Sequence, residues 1–283
     1  MATAHLVRFC YLCKKRLMKK CAIWMACLIV LAGCGTKTNP QQSNQQEKPP
    51  AETAAEDKAQ QVVDAAIAKH GGSRYEDSRV TFEFRGRRYT ATRSGSKFEY
   101  ERLFKDTTGA DIRDVLTNEG FYREVNGQRA QLSAKDSSAY ANSLNSVIYF
   151  ALLPYFLNDR AVIKEYLGEA TILGKPYHKI RVTFRQEGGG KDFEDEYIYW
   201  FHKDLHTLDY LAYNYHVDGG GARFREAYAV RTSNGIQFAD YRNYKPKTDN
   251  RNVAEFDALF ENGGLEQLSL IELEHVRVVL DFW

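Results

Sequence analysis

The sequence predicts a mainly β protein with a few helices, an antiparallel curved sheet into which one apolar helix is inserted. Three observations predict it. Apolar and polar residues alternate with a period of two in many runs after residue 80, as in Val80, Phe82, Phe84 and Ile180, Val182, Phe184. Tight-turn signals punctuate the chain: Asn126-Gly127, Gly188-Gly189-Gly190, Gly219-Gly220-Gly221 and Asn234-Gly235. Between them, residues 137–157 are apolar around so much of a helical circumference that the helix must be buried or must cover an apolar hollow.

Taken in order, Val62, Val63, Ala66 and Ile67 form a stripe at 3–4 spacing, which predicts a helix from about Glu52 to His70. Gly71-Gly72 supplies its left-handed stop. Strands follow through Val80–Phe84 and through Phe98, Tyr100, Arg102 and Phe104. The inserted helix carries Tyr140, Leu144, Ile148, Ala151, Leu152 and Tyr155 on one face and ends or kinks at Pro154. Further strands run through 180–184, 197–202, 207–217, 223–231 and 236–244, joined by hairpin turns. A short helix near 252–262 has Asn252 and Glu255 as a capping box, and residues 265–283 close the sheet with one or two strands. A sheet this wide curls rather than lying flat.

The first 56 residues have a different composition. An apolar stretch, 22–32, follows the basic cluster Lys14, Lys15, Arg16, Lys19, Lys20, as in a secretory signal. It is too short to cross a bilayer core, which needs about 20 residues. Leu31-Ala32-Gly33-Cys34 resembles the signal of bacterial lipoproteins. That resemblance implies diacylglyceryl on the Cys34 thiol, cleavage before it, and a further acyl chain such as palmitate on the new terminus. Met18 offers an alternative start for the same signal. Gly35 rather than Asp after Cys34 looks like an outer-membrane address. Residues 34–56 are rich in Gln, Asn, Lys and Pro and predict a flexible tether with a reach of about 25 Å. Residues 57–283 form one domain.

All five cysteines lie at or before position 34, so the remainder has no disulfide and no thiol chemistry. Residues 1–33 hold six basic and no acidic residues; without them 33 basic face 37 acidic residues, a balance of −4. That balance argues against nucleic acid as a partner and leaves the attachment to a membrane to the acyl chains. No nucleotide-binding, metalloprotease or hydrolase motif is present, and no cofactor is expected.

The order of elements, a leading helix, a long antiparallel meander and an apolar helix inserted midway, resembles the open half-barrel of outer-membrane lipoprotein carriers and receptors over residues 58–283. His70-Gly71-Gly72 and Gly120-Phe121-Tyr122-Arg123 also resemble pieces of uncharacterised lipoproteins of Gram-negative bacteria. The likeness implies a concave apolar face that shelters acyl chains.

Arg102 shares a strand face with Phe98, Tyr100 and Phe104, so its charge points inward and needs an anionic partner or ligand. Asp240, beside Ile236 and Phe238, and Glu226 are the expected ion-pair partners; the alternative is the head group of an apolar ligand. His178 counts onto the face of Ile180, Val182 and Phe184, as a core histidine or a polar point in a pocket. Phe98, Tyr100, Phe104, Phe184, Trp200, Tyr213, Phe224 and Phe238 are either lining of a ligand site or plain core. His202, His206 and His216 with Asp204 or Asp209 are either turn residues or a metal site. Three functions are open: a non-enzymatic lipoprotein holding an apolar or amphiphilic ligand, a metal-assisted or acid–base hydrolase, and an assembly scaffold binding another envelope protein.

Overall fold

The computed structural model describes residues 50–185, 195–215 and 219–280. Cys34, most of the tether, the Gly188-Gly189-Gly190 turn and His216 lie outside them. Helix α1 spans Pro50–His70. Five full strands and a two-residue sixth follow: β1 Asp77–Phe84, β2 Arg87–Ser94, β3 Lys97–Lys105, β4 Asp111–Thr117, β5 Gly120–Val125 and β6 Gln128–Arg129. Helix α2 is Ala134–Ala151. Then come β7 Val162–Ile172, β8 Lys175–Phe184, β9 Tyr197–His202, β10 Leu208–Tyr215, β11 Gly221–Ser233 and β12 Ile236–Pro246. Helix α3, Phe256–Glu261, precedes β13 Leu265–Ile271 and β14 Glu274–Leu280.

All pairings are antiparallel, in two seven-stranded sheets ordered β14-β1-β2-β3-β4-β5-β6 and β13-β12-β11-β10-β9-β8-β7. The sheets meet at a corner between β13 and β14. There Asp240 Oδ1 accepts the Leu273 amide at 2.8 Å, Arg231 bonds the Leu273 carbonyl, and Asn234 Nδ2 donates to the Val278 carbonyl at 2.7 Å. The opposite edges, β6 and β7, do not pair, so the barrel stays open. One apolar cluster unites Val62, Val63 and Ala66 of α1, Leu144 and Ile148 of α2, Phe82 and Tyr100 of the first sheet, and Ile180, Tyr199 and Leu211 of the second. The two sheets thus wrap both helices as a half-barrel. A second cluster lies on the outer face of β8–β11, where Val253, Phe256 and their neighbours cover Tyr177, Ile198, Trp200 and Phe224.

The helix boundaries differ from those the sequence predicts. Gly71 (φ +154°) and Gly72 (φ +59°) end α1 as expected, and a Cβ on Gly71 would stand 2.9 Å from the Tyr75 ring. Helix α2 begins at 134 rather than 137, because Ser133 caps it: its Oγ accepts the Asp136 amide at 3.1 Å. It ends at 151 rather than 157, before Pro154 and a 3₁₀ turn at Tyr155–Asn158. The capping box at Asn252 does not form; a 3₁₀ turn, Val253–Glu255, leads into α3 with no side-chain cap. The structure adds β2, β4, β5 and β7, whose polar and charged residues interrupt the alternation that marks β1 and β8.

Candidate functional site

The inner face of the half-barrel carries the chemistry. Cross-strand register puts Arg102 (β3), Asp114 (β4) and Arg123 (β5) side by side, one per strand. Arg102 donates to Asp114 Oδ2 from Nε at 2.9 Å and from a terminal nitrogen at 2.5 Å; Arg123 donates to Oδ1 at 2.6 Å and to Oδ2 at 2.9 Å. The third Arg102 nitrogen reaches Ser143 Oγ of α2 at 2.8 Å. Side-chain exposure is 2% for Arg102, 0% for Asp114 and 12% for Arg123, so two guanidinia share one carboxylate out of water and the cluster keeps a net charge of +1. Arg123 also lies over the Tyr140 ring of α2, 3.6 Å from its centroid. The ion pair expected for Arg102 exists, but Asp114 makes it. Asp240 instead holds Arg231 and the sheet corner, and Glu226 bonds Tyr244 and Arg242. Strand order, which sets these partners, is absent from local sequence.

A second cationic patch lies where α2 ends. Arg225 pairs in register with Leu211 and Asn243, which places it on the inner face. It stacks on Phe150 of α2 at 4.0 Å and on Tyr213 at 5.2 Å, and donates to Tyr213 Oη at 3.1 Å. Arg223, two residues earlier, lies over Tyr215 at 5.2 Å. Among the described residues neither meets a carboxylate. Arg93 (β2) donates to Tyr100 Oη at 2.8 Å and lies over Tyr155. Near it is Asp159, whose carboxyl burial pushes up to about 6 against the opposing pull of Arg93 and Lys164.

The aromatic candidates divide between two faces. Tyr100, Phe184, Tyr213 and Phe238 are buried on the inner face, and Phe98 packs against the same cluster. Phe104 is half-buried between Arg87 and Arg102. Trp200 and Phe224 are on the outer face, under α3, so they do not line the same surface. Every residue of β9 is buried, and a strand covered on both sides gives no alternation by which to choose its inner face. His178 is buried on the inner side, its Nδ1 3.1 Å from Tyr166 Oη, and burial, with Lys58, lowers its pKa.

His202 caps the turn at 203–206: its Nδ1 accepts the amides of Asp204 and Leu205 at 3.2 and 3.3 Å. Among the described residues, the ligand atoms that do converge are those of Glu83, Glu274 and His275, within 4.8 Å of one another on the β1–β14 rim. Two carboxylates and an imidazole suit a divalent ion. Arg79, Arg88 and Arg277 line the same depression, and their charge opposes a cation there.

The model of a family described as DUF6503, a family of unknown function, matches residues 51–273. No curated protein matches the chain by sequence. Similar solved structures include a LolA superfamily protein of Nitrosomonas europaea, 8% identical with a TM-score of 0.43, covering 77% of this chain and 92% of that one. Another is a putative outer membrane lipoprotein-sorting protein domain of Vibrio parahaemolyticus, 8% identical with a TM-score of 0.42, covering 80% and 93%. A third is a DUF1329 family protein of Desulfovibrio piger, 10% identical with a TM-score of 0.36, covering 79% and 93%.

Proposed function

The chain belongs to the DUF6503 family, a family of unknown function, and from its own geometry we propose a non-enzymatic, lipid-anchored protein of the bacterial envelope. It holds an apolar or amphiphilic ligand on the inner face of the half-barrel, with α2 as a displaceable plug. Acyl chains on Cys34 tether it to the outer membrane.

The observation that supports this reading is the seat of α2. Apolar contact comes from Leu144, Ile148, Tyr149, Ala151 and Leu152, with Val147 and Phe150 partly buried beside them. The rest of the seat is polar or cationic: Ser143 on Arg102, Tyr140 on Arg123, Phe150 on Arg225, and Tyr149 against the Tyr199 hydroxyl. When α2 lifts, water or a ligand head group can satisfy those groups, whereas exposed aliphatic surface has no such remedy. The four largest buried side chains at ~1.5–3 kcal/mol each set a lower bound of about 6–12 kcal/mol on the cost of lifting. A bound chain of about twelve methylenes returns about 10 kcal/mol at ~0.8 each, which offsets a large part of that cost.

Native mass spectrometry of the protein from its own membranes, and displacement of an apolar fluorescent probe by acyl compounds, test the ligand. Absence of both bound amphiphile and probe binding would refute it. Cys34→Ser is expected to move the protein from the detergent to the aqueous phase on phase partitioning; an unaltered protein already in the aqueous phase would remove the anchor.

A further inference from the structure

We propose that the inner face of β10–β12, beside the end of α2, is a subsite for an anionic head group, a carboxylate or a phosphate, on an amphiphile. This deepens the ligand-holding reading and rests on it.

The argument starts from charge. The chain beyond Cys34 is mildly acidic, yet Arg223 and Arg225 stand two residues apart on one strand face with no carboxylate beside them among the described residues. Among the described residues Arg223 has one hydrogen bond, to the neighbouring Ala222 carbonyl at 2.8 Å. Arg225 is held by aromatic faces and a tyrosine hydroxyl, which orient a guanidinium without neutralising it. Its Nε is closed to solvent and has no partner among the described residues. Across the strand pair, Asn243 Oδ1 is also buried and unpartnered, while its Nδ2 donates to Ser269 Oγ at 3.2 Å. Turning that amide over presents its NH₂ group in place of the orphan oxygen and keeps Ser269 as donor, because a hydroxyl both donates and accepts. Arg225 lies opposite Asn243 and Arg223 two residues along the same face, so two guanidinia and an amide offer donors along one stretch of the inner face, a set that suits the oxygens of a carboxylate or phosphate.

The surroundings point to an amphiphile rather than a free ion. Tyr213 stacks on Tyr197 at 5.5 Å, and Tyr197 meets Phe184 edge-on at 5.6 Å, a continuous aromatic row leading from the arginines toward β8. Phe150 covers the start of that row and is held there by Arg225. An anion that engages Arg225 competes for the guanidinium on which Phe150 rests. Head-group binding and release of the plug are therefore coupled at one side chain.

The full-length protein, loaded with a displaceable apolar fluorescent probe at low salt, distinguishes the outcomes. Dodecyl phosphate should bind at least tenfold more tightly than dodecylammonium or dodecanol, and inorganic phosphate alone should displace nothing. Arg225→Gln and Arg223→Gln should each weaken dodecyl phosphate about tenfold, the size of one charge-assisted contact, and leave dodecanol unchanged. Thermal melts of the two variants separate a lost contact from a lost fold, and Arg223, which supports no packing of α2, is the safer site. Raising the salt should shrink the preference. If all three chains bind alike, the anion subsite is wrong while the ligand holder stands. If none binds, both readings fall. If inorganic phosphate binds as well as dodecyl phosphate, the assignment to an amphiphile is wrong.

Discussion

Asp114 is the one carboxylate between two buried guanidinia, and replacing it tests how charge is balanced under α2. With Asp114 the cluster carries a net +1; Asp114→Asn raises it to +2 in a place that is 0% exposed. Removing one partner of a buried pair costs about 3–5 kcal/mol, because the remaining charge is left without compensation. Arg123→Gln does the opposite: it leaves the Arg102–Asp114 pair intact and brings the cluster to neutrality. Its cost is the loss of charge-assisted hydrogen bonds, ~1.5–3 kcal/mol, offset in part by relief of repulsion between the guanidinia, or about 1–2 kcal/mol in sum. For a domain of this size 1 kcal/mol shifts Tm by roughly 2–4 °C, so Asp114→Asn should lower it by about 10 °C and Arg123→Gln by about 3–5 °C. Urea unfolding with thermal melts measures both. Equal losses from the two variants, or a shift under about 3 °C for Asp114→Asn, would refute the charge-count argument.

Four further outcomes follow from named groups. His70 Nε2 accepts the Leu208 amide at 3.1 Å, a bond only the neutral ring makes, and burial, with Lys69, lowers its pKa to about 4. The unfolded ring takes a proton below its ordinary 6.5 while the folded ring resists until about 4, so about 3 kcal/mol of stability should disappear as pH falls across that window. Asp159 works in the other sense: its folded pKa is raised from 3.8 to about 6, so its contribution is present at low pH and lost as pH rises through 6. Denaturant unfolding against pH should therefore show less acid loss in His70→Gln and, because Asp159 opposes His70 between about pH 4 and 6, a greater acid loss in Asp159→Asn. Ser133→Ala should cost about 1 kcal/mol, read by urea midpoint, because it removes the α2 cap. Trp200→Ala should cost about 3–5 kcal/mol, yet leave amphiphile selectivity unchanged, since the ring is buried on the outer face.

Much of the architecture was legible in local sequence. The stripe at Val62, Val63, Ala66 and Ile67, the glycine stop at 71–72 and the alternations at 80–84 and 180–184 correspond to α1, β1 and β8, because each is a periodicity that a buried face imposes on its own strand or helix. Ser133-x-x-Asp136 was a readable start signal for α2 that apolar content alone passed over. An inward Arg102 was legible too, from its place between Tyr100 and Phe104. Its partner was not: Asp114 comes from the next strand, and Arg123 from the one after that. The cationic patch of Arg223 and Arg225 was hidden for a related reason. In sequence they alternate with Ala222, Phe224 and Glu226 and read as a solvated face; the wrapping of the sheet around α2 turns that face inward.

The sequence by itself determined α1, the presence of a buried middle helix, the most regular strands such as β1 and β8, the inward direction of several side chains and the lipoprotein-like signal at Leu31–Cys34, all matters of spacing within about ten residues. Tertiary structure alone decided which of two buried strand faces is the inner one, which acid neutralises which arginine, and where positive charge is left over. Those depend on strand order and on what covers each face. Both are set by the summed packing of the whole chain and leave no periodic trace in any one segment.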